Sequence, residues 1–166
     1  VASFVDAKTI NVKTADGDLT LTAEQFLINT GSTPVIPNIE GVRDPATGEL
    51  QAGNKLYTSQ TLMDLDELPE RLTIVGGGYI GLEFASMFAE FGSKVTIIQD
   101  SDVFLPREDE DIVEVIREVI SAKGVEVITG AAISAIKDGV VTYTADGATK
   151  ELAGDAVLIA TGRRPN

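Results

Sequence analysis

The sequence predicts an α/β fold in which helices pack on a parallel sheet, preceded by a β-rich segment. Three observations carry that prediction. Leu72 to Ile98 reads as strand, glycine-rich turn, helix and second strand; a second helical run follows it; and two similar hairpin segments lie one near each end of the chain.

The first hairpin is written in the alternation of Ile10 and Val12, then Leu19 and Leu21, on either side of Thr14-Ala15-Asp16-Gly17. Alternating apolar residues around Asp-Gly mark a β-hairpin. The segment FLINTGSTP from Phe26 returns as an apolar strand to a Thr-Gly loop and a proline. Pro45, Gly48 and Gly53 then mark a connector, with a short helix expected after Thr58-Ser59.

Leu72-Thr73-Ile74-Val75 is a short apolar, β-branched run of the kind buried on both faces of a parallel sheet. It stops at glycine. Gly76, Gly78 and Gly81 fall at G-x-G-x-x-G spacing, where the first permits a tight turn, the second lets a pyrophosphate approach the backbone, and the third lets helix and strand pack closely. A glycine turn needed for packing alone is the competing reading, and the order strand, turn, helix, strand argues against it. The helix over 79–91 shows Ile80, Phe84, Met87, Phe88 and Phe91 as one apolar face, with Gly92 as its stop. Its N-terminus directs free N–H groups at the turn. The strand at 94–98 ends at Gln99-Asp100, close to the ~20 residues after the first glycine at which such sites meet the adenosine ribose. The whole is a Rossmann-like dinucleotide-binding pattern.

A helix over 109–122 follows, with Ile112, Val115, Ile116, Val119 and Ile120 in its periodic run and Gly124 as its stop, Lys123 lying in its last turn. The acidic cluster Glu108-Asp109-Glu110-Asp111 complements the start of this helix rather than a metal. Strands are expected at 72–76, 94–98 and 125–128, a three-stranded β-meander at 132–151, and a closing strand at 155–160.

Composition removes several functions. With a net charge of −13 and no basic cluster, nucleic acid and anionic membrane surfaces are poor partners. No apolar run approaches the ~18 residues of a membrane span, and a cytoplasmic setting is the default expectation. The absence of cysteine and histidine removes disulfides, thiol nucleophiles and the commonest general base and metal ligand from this chain. No catalytic residue and no metal site is expected in it.

The chain also repeats itself. TADG occurs at Thr14 to Gly17 and at Thr144 to Gly147, and FLINTGSTP is echoed by VLIATGRRP from Val157, with an offset of 130 residues for the first match and 131 for the second. Two matched segments in the same order are two copies of one unit. The second copy carries its glycine turn at Gly76, whereas the first would need one before Val1. Residues 1–42 are therefore expected to be the tail of a first nucleotide domain, 43–69 a connector, and 70–166 a complete dinucleotide domain.

INTGSTPVIPNIEGV, LPERLTIVGGGYIGLEFA and LIATGRRPN together resemble the pyridine nucleotide-disulfide oxidoreductases, the flavoprotein family of dihydrolipoamide dehydrogenase, glutathione reductase and mercuric reductase. GGGYIGLEFASMFAEFGSKVTIIQ and LPRED look most like the mercuric-reductase-like branch. The resemblance covers nearly the whole chain and implies the end of an FAD domain followed by an NAD(P) domain. It also implies an enzyme in which NAD(P)H reduces FAD, FAD reduces a cysteine pair, and the pair reduces a disulfide or metal-ion acceptor. This chain lacks the FAD-type glycine turn, the C-x-x-x-x-C pair, the Gly-Asp flavin motif and the C-terminal dimerisation domain. It is expected to be a fragment that binds no FAD and does not turn over, whereas the full-length protein would hold FAD and form a homodimer.

Carried onto matching positions, the resemblance places Gly76, Gly78 and Gly81 around the pyrophosphate, with the N–H groups of Tyr79 and Ile80 nearest to it. It makes Tyr79 a gate that shields the nicotinamide side of the flavin; a partly buried aromatic at a helix start is the alternative. Glu83 matches the glutamate that meets the nicotinamide carboxamide, or simply favours a helix N-terminal turn. Ile133 would pack on the adenine side, and Gly162 would let the cofactor backbone pass. Gln99 stands at the family's acidic position and would bond a ribose hydroxyl through its amide, while Asp100 and Asp102 make that corner negative. With Arg107 as the only nearby arginine, NAD(H) is expected over NADP(H). Two other readings are an NADH oxidase or ferredoxin-reductase-like flavoprotein, and a non-enzymatic NADH-sensing module. Apolar surface on residues 1–42 would favour self-association.

Overall fold

A computed structural model describes residues 1–51 and 53–166 and divides the chain into two compact units, Val1–Gly31 with Pro165–Asn166, and Ser32–Arg164. In the smaller unit, β1 (Ala2–Asp6), β2 (Thr9–Thr14) and β3 (Gly17–Thr22) form an antiparallel sheet in that order. The expected hairpin thus gains a third strand. Phe4 lies opposite Ile10, Ile10 opposite Leu21 and Val12 opposite Leu19, so these residues share one face, where Phe26 meets Phe4 edge to face at 5.3 Å.

The larger unit begins with β4 (Ser32–Pro34), β5 (Leu56–Tyr57) and one 3-10 turn (Leu62–Asp64), the short helix expected after Thr58-Ser59. There follow β6 (Arg71–Val75), α1 (Tyr79–Glu90), β7 (Lys94–Ile98), α2 (Glu110–Ala122) and β8 (Glu126–Ile128). Next come β9 (Ala132–Lys137), β10 (Val140–Ala145), β11 (Ala148–Ala153), β12 (Ala156–Ile159) and β13 (Arg163–Pro165). Five strands make a parallel sheet in the order β5-β12-β6-β7-β8, and β9, β10 and β11 make an antiparallel sheet. The edge strand β5 lies in what the sequence marked only as connector.

The three central strands of the parallel sheet, β12, β6 and β7, are buried on two sides. Leu72, Ile74, Val95, Ile97 and Leu158 pack with Phe84, Phe88 and Ile120 of the helices and with Phe104. On the other side Val75, Ile98, Val157 and Ile159 pack with Ile136, Val141 and Tyr143 of the antiparallel sheet and with Val42 and Leu56. Near-continuous apolar runs are what such two-sided burial requires. At the start of β6, Arg71 Nη2 donates to Asp155 Oδ1 at 2.9 Å and Arg71 N to Asp155 Oδ2 at 3.0 Å, while Asp155 N donates back to Arg71 O at 2.8 Å. That pairing ties β6 to the residue before β12 and holds the Asp155 carboxyl below its ordinary value, chiefly through the Arg71 side-chain hydrogen bond.

Four helix details differ from expectation. Phe91 is the C-cap of α1 and lies exposed, because the helix ends one residue earlier and Gly92 turns the chain at φ +102. Glu83 falls beyond the first turn of α1, which holds no acid, so its carboxylate is not a cap for that helix. On α2, Ile120 is buried and Ile116 half-buried, but Ile112, Val115 and Val119 are exposed, since the apolar stripe is wider than the surface it packs against. Lys123 is the C-cap of α2 rather than part of its last turn, and its ammonium pairs with Glu90 at the end of α1.

The repeat is more regular in the fold than in the sequence. The first TADG turns at Ala15-Asp16, with Thr14 paired to Gly17; the second turns at Asp146-Gly147, with Ala145 paired to Ala148. Asp146 (φ +54) and Gly147 (φ +74) both occupy the left-handed region that a two-residue hairpin favours, whereas in the first copy only Gly17 (φ +124) has positive φ. Matched turn to turn, the hairpins are 131 residues apart, like the return strands, and the inserted residue disappears. No helix among the described residues is long and apolar enough to cross a membrane.

Candidate functional site

Val75 lies between Ile98 on one side and Ile159 on the other, so the residues that follow, Gly76, Gln99 and Ala160, emerge together at the carboxyl end of the sheet. The ladder continues one step past the strands: Gly76 N donates to Ile98 O at 2.9 Å and Ala160 N to Val75 O at 2.8 Å. Open α/β sheets bind ligands in the crevice at this end, where the chain leaves neighbouring strands in opposite directions. Here β6 runs on through α1 to β7 on one side while β12 lies on the other.

The four glycines of this turn differ in what each excludes. A Cβ on Gly76, whose φ is +108, would lie 2.5 Å from Ala160 O; on Gly81 it would lie 2.2 Å from Gly76 O. On Gly77 it would lie 2.4 Å from Gln99 Oε1 and 2.9 Å from Phe104 Cε2. Gly76, Gly77 and Gly81 are therefore needed by the fold itself. Gly78 is the exception, because a Cβ there would meet nothing within 4 Å and its φ of −84 suits any residue. Gly78 is also the N-cap of α1, with no side chain to occupy the first helical N–H groups. The donors of Tyr79 and Ile80 face a cleft of about 840 Å³, a volume suited to a large organic ligand.

The cleft lies wholly within the larger unit. Of the residues singled out from sequence, it brings together Gly76, Gly78, Tyr79, Ile80, Gln99, Asp100, Ile133 and Gly162. Gly81 is buried beneath the turn rather than on the cleft wall, and Glu83 is exposed on α1 outside the lining. Gln99 is 8% exposed, and its Nε2 donates to Val103 O at 2.7 Å and Ser101 O at 3.2 Å. Both amide hydrogens are engaged in shaping the loop after β7, and Oε1 faces Gly77.

The lining also includes Arg107, named from sequence, and two stretches whose place in the site the sequence did not indicate. Val35, Pro37 and Ile39 form part of one wall; Thr161 Oγ1 donates to Val35 O at 3.0 Å and Val35 N to Gly162 O at 3.0 Å. Their sequence signal is the stretch INTGSTPVIPNIEGV that carries the first Thr-Gly loop. Leu105 to Glu108 form the opposite wall, where Leu105 is buried at φ +51 immediately before Pro106. Residues preceding proline avoid helical backbone, and left-handed leucine is uncommon, so this bend is held by its packing with Phe84 and Phe104 in the core. From this wall Glu108 accepts a hydrogen bond from the Tyr79 hydroxyl, which raises the tyrosine pKa above its ordinary value. The charged groups among the described lining residues are Asp100, Arg107 and Glu108.

This arrangement, a parallel sheet with a glycine turn feeding a helix start on one face and an antiparallel sheet on the other, places the chain among three-layered α/β proteins with a carboxyl-end crevice. Over residues 1–166 it matches the family described as "Pyridine nucleotide-disulphide oxidoreductase", and it belongs to that family. It is 41% identical over 164 residues to the probable pyridine nucleotide-disulfide oxidoreductase RclA of Escherichia coli, covering 99% of this chain and 35% of that protein. It is 38% identical over 170 residues to dihydrolipoyl dehydrogenase of Geobacillus stearothermophilus, covering 99% of this chain and 34% of the relative. The solved Cu(II) complex of the HOCl-induced flavoprotein disulfide reductase RclA from Escherichia coli superposes with a TM-score of 0.76 at 42% identity, over 99% of this chain and 35% of that one. The chain thus spans about a third of the length of these relatives.

Proposed function

We propose that the cleft is a nicotinamide-dinucleotide site and that the chain contributes the NAD(H) site of a flavin-dependent pyridine nucleotide-disulfide oxidoreductase. One observation carries this reading: the Gly76–Gly78 turn opens directly on the uncapped start of α1 inside a cleft of dinucleotide size. The N–H groups of Tyr79 and Ile80, with the dipole of α1 behind them, would hold the pyrophosphate, and the missing Cβ of Gly78 is what lets it come close. Ile133 would pack on the adenine, and the Gly162 loop would allow the dinucleotide to pass.

Bound there, the cofactor would supply a hydride to FAD in the proposed whole protein, and the electron pair would pass to a cysteine pair and then to a disulfide or metal-ion acceptor. The chain holds neither cysteine nor histidine, so its own residues bind and orient rather than perform the thiol or acid/base steps. Asp100 at the end of β7 supports NADH over NADPH by repelling a 2′-phosphate, with Arg107 as the opposing charge. Residues 1–42 fit the tail of a preceding FAD domain, 43–69 a connector and 70–166 the NAD(H) domain. Calorimetric titration with NADH and NADPH tests the reading: saturable one-to-one binding, tighter for NADH, supports it, and tighter NADPH binding that Arg107→Ala abolishes would reverse the selectivity.

A further inference from the structure

Tyr79 and Glu108 both line the cleft. Tyr79 is the first residue of α1, next to the turn, and Glu108 ends the Leu105–Glu108 wall two residues before α2 begins. The hydrogen bond between them joins the start of α1 to the Leu105–Glu108 segment of the lining. Tyr79 is 61% exposed, and among the described residues its hydroxyl's partner is this one carboxylate. The carboxylate, in contrast, is carried on a stiff support, because Leu105 is buried in the core and Pro106 fixes the backbone between them.

We propose that Glu108 is a positioning residue for this site: it clasps Tyr79 across the mouth of the cleft, and a dinucleotide must break the clasp to reach the turn. The proposal rests on the dinucleotide reading above and adds to it the residue that sets admission. A carboxylate in this place acts twice on a phosphate-bearing ligand. It holds the ring in the way, and its charge, together with that of Asp100, opposes the incoming anion; Arg107 is the cation of the lining that offsets them. Two acids against one base leave the mouth negative while the helix start behind it is positive. Tyr79 is mostly exposed and is not one of the buried residues of either core cluster, so releasing the ring leaves the core in place.

The test uses Glu108→Ala, Glu108→Gln, Tyr79→Phe and the Tyr79→Phe/Glu108→Ala double variant, with two readouts. The first is ultraviolet titration of tyrosine ionisation, which sees the clasp without any ligand: one of the three tyrosines ionises at higher pH than an ordinary tyrosine, and Glu108→Ala returns it to the ordinary range. The second is NADH affinity by calorimetry. Tyr79→Phe and Glu108→Ala should each tighten binding by roughly two- to tenfold, the range of one net hydrogen bond. The double variant should do no better than Glu108→Ala alone, and Glu108→Gln, which keeps an acceptor but no charge, should fall between wild type and Glu108→Ala. An unshifted tyrosine titration in Glu108→Ala rejects the clasp itself. A normal titration response with NADH affinity unchanged, or additive gains in the double variant, rejects its control of admission. Absence of NADH binding by wild type and every variant overturns the dinucleotide reading, and with it the admission role.

Discussion

The glycine turn separates folding from binding, and alanine substitutions at Gly81 and Gly78 expose the difference. At Gly81 the new Cβ would lie 2.2 Å from Gly76 O, well over an ångström inside ordinary contact, and the atom it meets is backbone of the turn. Overpacking of this kind costs about 1–3 kcal/mol, and the clash with main chain argues for the upper part of that range. Alanine in a helix recovers about 1 kcal/mol relative to glycine. The net loss expected for Gly81→Ala is about 1–2 kcal/mol. At Gly78 the Cβ meets nothing, alanine is a poorer N-cap than glycine by about 0.5–1 kcal/mol, and the loss of unfolded-state freedom offsets that by about 0.4–1 kcal/mol. Gly78→Ala should therefore leave stability within about 0.5 kcal/mol of wild type, yet weaken NADH about tenfold or more, because the methyl group stands where the pyrophosphate must approach. Urea denaturation followed by circular dichroism measures the first quantity and calorimetric titration the second. Equal destabilisation by the two substitutions, or unchanged NADH affinity in Gly78→Ala, would refute the division of roles.

Two further predictions follow from the hydrogen-bond geometry. Gln99→Leu removes both amide donations to the Ser101 and Val103 carbonyls and should cost about 1–2 kcal/mol while making the 100–107 loop more susceptible to limited proteolysis; unchanged cleavage would show that the loop is held by other means. Asp155→Asn should alter the pH dependence of stability: because the Arg71 hydrogen bond depresses the Asp155 pKa, its contribution is complete above the unfolded carboxylate value near ~4 and is lost as pH falls through the lower folded value. The urea midpoints of wild type and variant should then converge as pH is lowered below about 4 and separate above it, whereas a gap independent of pH would contradict the assignment.

The parallel layer was legible in sequence because its signals are local. Val75 followed by glycine, Ile98 followed by Gln99, and Gly92 and Gly124 after their helices mark ends that the structure places within a residue or two. What escaped depends on partners distant in the chain. Leu56–Tyr57 is a strand only because Val157–Leu158, far along the chain, lies beside it. Periodicity showed that Ile112, Val115 and Val119 share a side of α2 with Ile116, but not how much of that side the sheet covers. Within the site, glycine spacing identified Gly76, Gly78 and Gly81, yet Gly77 is required by Gln99 and Phe104, which no local pattern connects to it. Glu108 was read as part of an acidic helix start, and its bond to Tyr79 crosses a cleft whose second wall is built by a loop bend at Leu105.

The central claim is that the cleft around Gly76–Ile80 holds a nicotinamide dinucleotide. Heteronuclear NMR titration of the chain with NADH tests it most directly, because it reports affinity and location together. The account predicts saturable one-to-one binding with the largest shifts at Gly76, Gly78, Tyr79, Ile80, Gln99, Asp100, Ile133 and Gly162. Shifts centred away from these residues, or no saturation at millimolar NADH, would contradict it.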